Sequence, residues 1–399
     1  MERLRVAVTG LAITYPFGGV FWDYVQYLLG LQRLGHDVLY IEDTGRWCYD
    51  PGEETFFENG ARNAATFREH LTRLEPALAD RWFYRDGGGA DYGRPWDEVV
   101  DFCATADVFL HVSVSCWMRE EYFAPKRVVF VDSDPMFTQA DVMFAQATLP
   151  EDLAEQVEGE ERVRLERLLR HDVFFTFGEN IGADDCRVPL STFTWHPTRQ
   201  PIVLDCFAGT AGARGDALTT VGSWAATEKG CTVDGVGYGG KGPEFERFIE
   251  LPARSAAPLE LALAGEAPLE RLRAHGWRVR DGFEVSADPW VYRDYLARSL
   301  GEWSVAKNAY VASRSGWFSC RTACYLAAGV PAVVQDTGFS HILPTGEGLF
   351  AFSTTDEAIA GIEAIASDPD RHGAAAREIA REYFDSDVVL TRLLEQALA

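Results

Sequence analysis

The run Ser313-Arg314-Ser315-Gly316-Trp317-Phe318-Ser319-Cys320-Arg321 gathers the densest set of groups that could hold an anion. Ser319 suits the N-cap of a helix, and Ser315-Gly316 forms a flexible turn leading into it. Unpaired N–H groups at a helix start, with the helix dipole, favour negative charge. Arg314 and Arg321 flank the turn and Lys307 lies upstream. Arginine grips phosphate through paired hydrogen bonds. A second loop, Asp336-Thr337-Gly338-Phe339, follows the next strand and is expected beside the first. The same spacing also fits an ordinary capped helix with surface arginines.

Other titratable groups stand at strand ends. Arg127 to Asp134 reads RVVFVDSD, a buried strand ending in Asp-x-Asp. Three readings follow, in order of preference: a plain Asp-Ser-Asp-Pro turn, Asp132 or Asp134 as a general base, and a carboxylate pair holding a metal. The metal ranks last because a cationic phosphate site makes it redundant. His196 lies near Arg199, where a base or a phosphate contact would fit, and Glu179-Asn180 follow a strand and are expected to face a cleft. His111, inside an apolar strand, reads as a core histidine. Cys320 and Cys324 share a helix face, but two thiols without a histidine in reach do not make a zinc site.

These groups need elements to position them. Arg5–Gly10, a helix over Val20–Leu34 closed by Gly35, and Asp37–Ile41 form a strand–helix–strand unit, which implies a parallel sheet. Val108–Val114, Arg127–Val131 and Phe174–Phe177 read as further strands, and Glu151–Arg170 as a charged helix. The small-residue stretch Cys206–Ala217 suits a hinge. A second alternation then runs through Leu218–Val221, Leu259–Ala264, Pro289–Arg298, a helix over Ser319–Ala328 and the strand Pro331–Gln335. The expected organisation is a domain over 1–205 and another over 206–384, with a helix at about 385–399 free to pack back on the first. Ligands in such folds sit beyond the carboxyl ends of the strands, so the chemistry belongs in the cleft between the domains.

The totals agree with this picture. A chain of 399 residues exceeds what one core usually serves. No segment approaches the run of about 18 apolar residues that a membrane helix needs, and the start lacks the pattern of a leader, so a cytoplasmic protein is expected. The net charge of −24 disfavours nucleic acid as a partner. An anionic ligand would need a local cluster of arginines against that background. The eight cysteines fit no zinc module and are expected to be reduced.

The run Ser315 to Gly338 (SGWFSCRTACYLAAGVPAVVQDTG), followed by Glu347-Gly348-Leu349-Phe350, closely resembles the nucleotide-sugar region of GT-B glycosyltransferases, above all their group 1 branch. Its Ala327-Ala328-Gly329-Val330-Pro331 matches that branch's Ala-x-Gly-x-Pro turn. Gly18-Gly19 opening a helix that ends Leu34-Gly35-His36-Asp37-Val38, and Thr220-Val221-Gly222-Ser223-Trp224, are similar to its other landmarks. Phe177-Gly178-Glu179-Asn180-Ile181-Gly182 and Trp195-His196-Pro197-Thr198-Arg199-Gln200-Pro201 resemble stretches of uncharacterised bacterial members.

The resemblance implies two doubly wound Rossmann-like α/β domains facing a cleft. It also implies transfer of a sugar from a nucleoside-diphosphate sugar to a small-molecule acceptor in bacterial natural-product biosynthesis. No cofactor beyond the donor and no metal are expected, and the protein would be a monomer or homodimer. Donor contacts are expected from Gly19, Ser223, Arg199, Lys307, Arg314, Ser315, Gly316, Trp317, Phe318, Ser319, Arg321, Asp336, Thr337 and Gly338. Asp132, Asp134, His196 and Glu179 are the catalytic candidates. Asp23 occupies the helix start where inverting relatives often carry their base. Tyr15, Phe17, Phe21, Trp22 and Trp47 serve either as core or as an apolar platform for a sugar or aromatic acceptor.

The match breaks at Gly316 and Cys324, where retaining members carry two glutamates. Ribose recognition must then differ, with Glu302, Asp336 or Glu347 as substitutes, and retention is not implied. A nucleotide-sugar epimerase or hydrolase and a non-catalytic binder remain alternatives. A nicotinamide dehydrogenase is disfavoured because the first strand lacks Gly-x-Gly-x-x-Gly.

Overall fold

The computed structural model describes residues 2–148, 159–208, 213–224 and 230–399. Two separate sheets organise the chain. The first has eight strands in the order Trp195–Pro197, Val173–Thr176, Arg127–Asp132, Val108–Val112, Arg5–Thr9, Asp37–Asp43, Trp82–Arg85 and Asp91–Gly93. Every neighbouring pair is parallel except the last. The second has six parallel strands in the order Arg278–Asp281, Leu259–Ala264, Leu218–Ser223, Gly301–Ser304, Ala332–Gln335 and Leu349–Phe352. Helices cover parallel sheets on both faces, which is why Val108–Val112 is buried at all five positions.

In each sheet the strand order reverses beside the strand that comes first in sequence. In the first, that point lies between Arg5–Thr9 and Val108–Val112. In the second, it lies between Leu218–Ser223 and Gly301–Ser304. The two crevices so created are the natural ligand positions of the fold.

The sheets are joined by direct packing. The helix Gly18–Arg33 contacts both Pro289–Ala297 from the second half and the final helix Ser386–Leu398. A Cβ added to Gly18 would lie 2.5 Å from the Tyr292 Cβ, so only glycine allows this approach. Trp22 Nε1 donates to the Pro289 carbonyl at 2.8 Å. Asp385 caps the final helix, and Ile202 exchanges backbone hydrogen bonds with Phe384 and Ser386 at 2.7 and 2.9 Å. One continuous apolar cluster therefore includes Val8, Trp22, Trp290, Ala323, Val334 and Leu390.

Several expectations need correction. The strand expected over Val108–Val114 stops at Val112, because Ser113 and Val114 turn to φ of 57° and 54°. Phe21 and Trp22 are core residues, 2% and 0% exposed, not a ligand platform. Of the aromatic group, Trp47 is exposed, whereas Phe17 packs on Tyr49 and Phe283. The helix expected over Glu151–Arg170 is seen as Gly159–Leu168, and its first residues lie outside the described ones. Part of the expected hinge Cys206–Ala217 does too. Among the described residues no helix is long and apolar enough to cross a membrane.

Leu390 is fully buried against Gly30 in the contact that ties the final helix to Gly18–Arg33. Leu390→Ala is expected to lower stability by about 2–5 kcal/mol. Urea unfolding would measure this, and a loss below about 1 kcal/mol would show that the contact is loose.

Candidate functional site

The short helix Asn308–Ser313 ends at Arg314, which adopts the left-handed conformation (φ 49°) and sends the chain into the loop before Cys320–Ala327. Gly316 follows with φ 80°. Its N–H donates to the Thr337 carbonyl at 2.8 Å, and the Asn180 N–H donates to the Ser315 carbonyl at 3.0 Å. A Cβ on Gly316 would lie 2.4 Å from the Asn180 nitrogen. This explains the missing first glutamate: the first sheet's Asn180 occupies the space such a side chain would need. The second missing glutamate has a similar cause. Cys324 is buried and receives a contact from Gln26 Nε2 at 3.8 Å, so its position faces the helix Gly18–Arg33.

The loop is held from all sides. Thr337 Oγ1 donates to the Trp317 carbonyl at 2.5 Å, and Asn180 Nδ2 donates to the Arg314 carbonyl at 2.9 Å. Trp317 stacks on Tyr310 at 4.3 Å and donates from Nε1 to the Ser133 carbonyl at 3.0 Å. Asp336 accepts from the N–H of Gly338 at 2.9 Å and from Ser340 Oγ at 2.9 Å, fixing its own turn. Gly338 (φ 98°) lets that turn approach the Arg314 carbonyl. Ser315, Thr337 and Gly338 thus shape the loop through the backbone. Phe318 stacks on Phe384 and belongs to the core, contrary to its expected donor role.

The cations divide into two groups. Arg314 donates to Asp185 at 2.6 Å, with Asp336 at 3.9 Å, so its guanidinium braces the loop. Lys307 lies 3.0 Å from both Asp134 oxygens. Arg321 differs. It donates from Nε to Glu302 at 2.8 Å and from Nη1 to the Val221 carbonyl at 2.7 Å, which places it at the end of the strand Leu218–Ser223. A Cβ on Gly222 would lie 3.7 Å from Arg321 Nη1 and 3.9 Å from Lys241 Nζ. Two cations therefore converge where the second sheet's order reverses, with half-buried Ser223 next in the chain. The first intrahelical bond of Cys320–Ala327 runs from Ala323 N–H to the Ser319 carbonyl at 3.0 Å. The amides of its first turn, and the Ser319 hydroxyl, which caps nothing, lie on the same helix start as Arg321. Sequence reading missed Lys241. The signal was a Lys-Gly-Pro at the start of the helix Gly242–Arg247.

The catalytic candidates are each held by partners of their own. Asp132 is buried; its carboxylate accepts from Gln139 at 2.8 Å, Thr176 at 2.7 Å and the Asp134 N–H at 2.9 Å. Burial pushes its carboxyl up, but those three donors hold it as a strand-end turn. Asp134 pairs across the sheets with Lys307 and Tyr310. Glu179 pairs with Arg199, and both line a cavity of about 250 Å³ with Tyr383, Arg392 and Leu393, facing the last two helices rather than Gly222. His196 packs on Phe175 in the edge strand of the first sheet. Gly19 lies 3.5 Å, by its hypothetical Cβ, from the Tyr292 ring, which makes it a packing position. The proposed ribose substitutes are also committed: Glu302 to Arg321, Asp336 to its turn, and Glu347 to Arg371 at 2.9 Å.

Asp23 stands out instead. It is half-buried on the helix Gly18–Arg33, bonded to the Cys320 thiol and close enough to feel Arg321. Burial raises its carboxyl to about 7, against the opposing pull of Cys320 and Arg321. A carboxyl poised near neutrality beside Arg321 is suited to proton transfer.

No family model matches the chain, and no curated protein matches it. Solved structures do. The chain is similar to AviGT4, a glycosyltransferase involved in avilamycin A biosynthesis, at 15% identity over 99% of this chain and 97% of that one, with a TM-score of 0.51. It is similar to Anabaena HepE in complex with UDP-glucose at 10% identity over 99% of each chain, with a TM-score of 0.52. A glycosyltransferase from Rickettsia africae matches at 9% identity over 100% of this chain and 98% of that one, with a TM-score of 0.53. At these identities the likeness establishes the fold: two Rossmann-like sheets in the GT-B arrangement.

Gly316→Ala is expected to destabilise the protein by about 1–3 kcal/mol, since it combines a positive φ with a steric clash. Thermal unfolding would show this; an unchanged midpoint would mean that Asn180 does not sit where the loop requires glycine.

Proposed function

We propose that the protein transfers a glycosyl group from a nucleoside-diphosphate sugar to a small-molecule acceptor. The observation that carries this reading is the convergence of Arg321 and Lys241 on Gly222 beside the start of Cys320–Ala327. Like charges gathered at one strand end favour a dianionic ligand, and the helix amides add donors for its oxygens. A diphosphate held there would be stabilised as a leaving group while negative charge develops on it. The similarity to HepE, crystallised with UDP-glucose, and to AviGT4 supports the same chemistry.

In this reading Asp23 accepts the proton of the attacking acceptor hydroxyl. The reaction calls on no cofactor beyond the donor. It also needs no metal at Asp132 and Asp134, whose carboxylates are already held by Gln139, Thr176, Lys307 and Tyr310. Closure of the two sheets over the donor would limit its hydrolysis by excluding water.

A thermal-shift panel of UDP, dTDP, GDP and ADP with their sugars tests the donor site. At least one should stabilise the protein with or without EDTA, and Lys241→Ala should weaken that ligand about 10- to 100-fold. No shift with any of them contradicts the proposal, as does rapid epimerisation or hydrolysis of the donor without acceptor.

The pH dependence tests Asp23. As a base it must be ionised, so kcat/KM should rise as the pH passes about 7. Asp23→Asn should flatten that limb and lower kcat by about 10²- to 10⁴-fold. The stability sign is opposite. A carboxyl raised in the folded state favours folding most below the ordinary carboxylate range, and that contribution is lost as pH rises towards 7. A rate limb that persists in Asp23→Asn would assign the base elsewhere.

A further inference from the structure

The crevice of the first sheet holds a cavity of about 540 Å³, lined by the loops that follow Arg5–Thr9, Asp37–Asp43 and Val108–Val112. Its wall is linked to the donor loop, because Ser113, next to Val114 in the wall, bonds Ser133, whose carbonyl receives Trp317 Nε1. In a chain of net charge −24, the cavity wall carries Arg46, Arg119 and Arg164 beside the ring of Trp117. Asp43 engages Arg119, and Asp141 engages Arg164 at 3.1 Å. Arg46 is exposed at the mouth. Behind the wall, Arg167 lies over Trp117 at 4.8 Å, and its buried Nη1 has no hydrogen-bond partner among the described residues. Among the described residues here, Arg46, Arg119, Arg164 and Arg167 thus outnumber the carboxylates of Asp43 and Asp141.

The loop forming this wall is strained and tightly held. Consecutive Ser113 and Val114 both adopt positive φ, an outlying conformation for a β-branched residue. Thr9 Oγ1 and Ser115 Oγ lie 2.7 Å apart, and the Val112 N–H donates to Thr9 Oγ1 at 3.0 Å. The Cys116 N–H donates to His111 Nε2 at 3.3 Å, His111 Nδ1 contacts His171 Nε2 at 3.0 Å, and His171 Nδ1 donates to the Leu168 carbonyl at 2.9 Å. That chain fixes both rings as neutral Nδ1–H tautomers, because a carbonyl can only accept. Burial agrees, holding His171 down at about 4. Strain maintained by so many partners belongs to sites whose geometry matters.

We propose that this cavity takes an anionic acceptor: a molecule bearing a carboxylate or phosphate on a flat or apolar ring, the anion meeting Arg46 and Arg164 and the ring lying on Trp117. This rests on the reading of the fold's other crevice as the donor site. Guanidinium groups supply paired hydrogen bonds to either anion, and the indole supplies the apolar face.

Calorimetric titration of the full chain tests it, with 4-hydroxybenzoate and phenyl phosphate as the anionic probes and 4-hydroxybenzamide as the neutral one. At least one anion should bind about tenfold or more tightly than the amide and weaken with added salt, and the stronger anion identifies the group recognised. Arg46→Gln with Arg164→Gln should erase the preference; Arg119 is left intact because its removal would strand the buried Asp43. Equal affinity for amide and anions, no binding of either anion at millimolar concentration, or a preference that survives both substitutions overturns the proposal. UDP is titrated in parallel. If it and dTDP, GDP and ADP, titrated likewise, all fail to bind, that counts against the donor reading alone, since the anion preference is measured without them.

Discussion

The buried ion pair between Arg321 and Glu302 is the interaction on which the site depends. Glu302 is wholly buried in a central strand of the second sheet, and Arg321 reaches it from the first turn of Cys320–Ala327. Breaking such a pair on one side leaves an uncompensated buried charge, a loss of about 3–5 kcal/mol. The pair also aims the guanidinium. With Nε on Glu302 and Nη1 on the Val221 carbonyl, the guanidinium is fixed beside Gly222, where an added Cβ would touch both Arg321 Nη1 and Lys241 Nζ at ordinary contact distance. One Glu302 oxygen has no hydrogen-bond partner among the described residues, so the carboxylate serves position more than full hydrogen bonding.

The second constraint is the short distance between the two sheets. Gly18 against Tyr292, Gly316 against Asn180 and Trp22 against Pro289 all demand close backbone approach. Together they set Asp23, on the first sheet's helix, against Cys320 and Arg321 on the second's. Lys307 and Tyr310 meeting Asp134 add a polar link between the same halves. The site is thus assembled from side chains that are distant in sequence, and its chemistry follows from docking as much as from any one motif.

This separates what could be read in the sequence from what could not. Strand-helix alternation was legible wherever apolar runs were bounded by glycine, as in Arg5–Thr9, Gly18–Arg33 and Ala332–Gln335. The turn before Cys320 was legible too, through its serine and glycine. Short elements without such a pattern, among them Gly301–Ser304 and the hairpin Cys48–Phe57, were not. The assignment of charges was the least legible part. Type and spacing made Arg314, Arg321 and Lys307 equivalent, but only the fold reveals that Asp185 and Asp134 claim two of them. Lys241 escaped notice because its partner in the site, Gly222, lies across a hairpin and carries no side chain. Asp132 stayed a candidate base beside the preferred turn reading because a strand end suggests exposure, yet Thr176 and Gln139 enclose it.

The most direct test of the central claim is a crystal structure of the protein with a bound nucleoside-diphosphate sugar. The account predicts diphosphate oxygens within hydrogen-bond distance of Lys241 Nζ, Arg321 and the first amides of Cys320–Ala327, with Glu302 still holding Arg321. A diphosphate seated instead on Arg314 or Lys307, with Gly222 left uncovered, would contradict it.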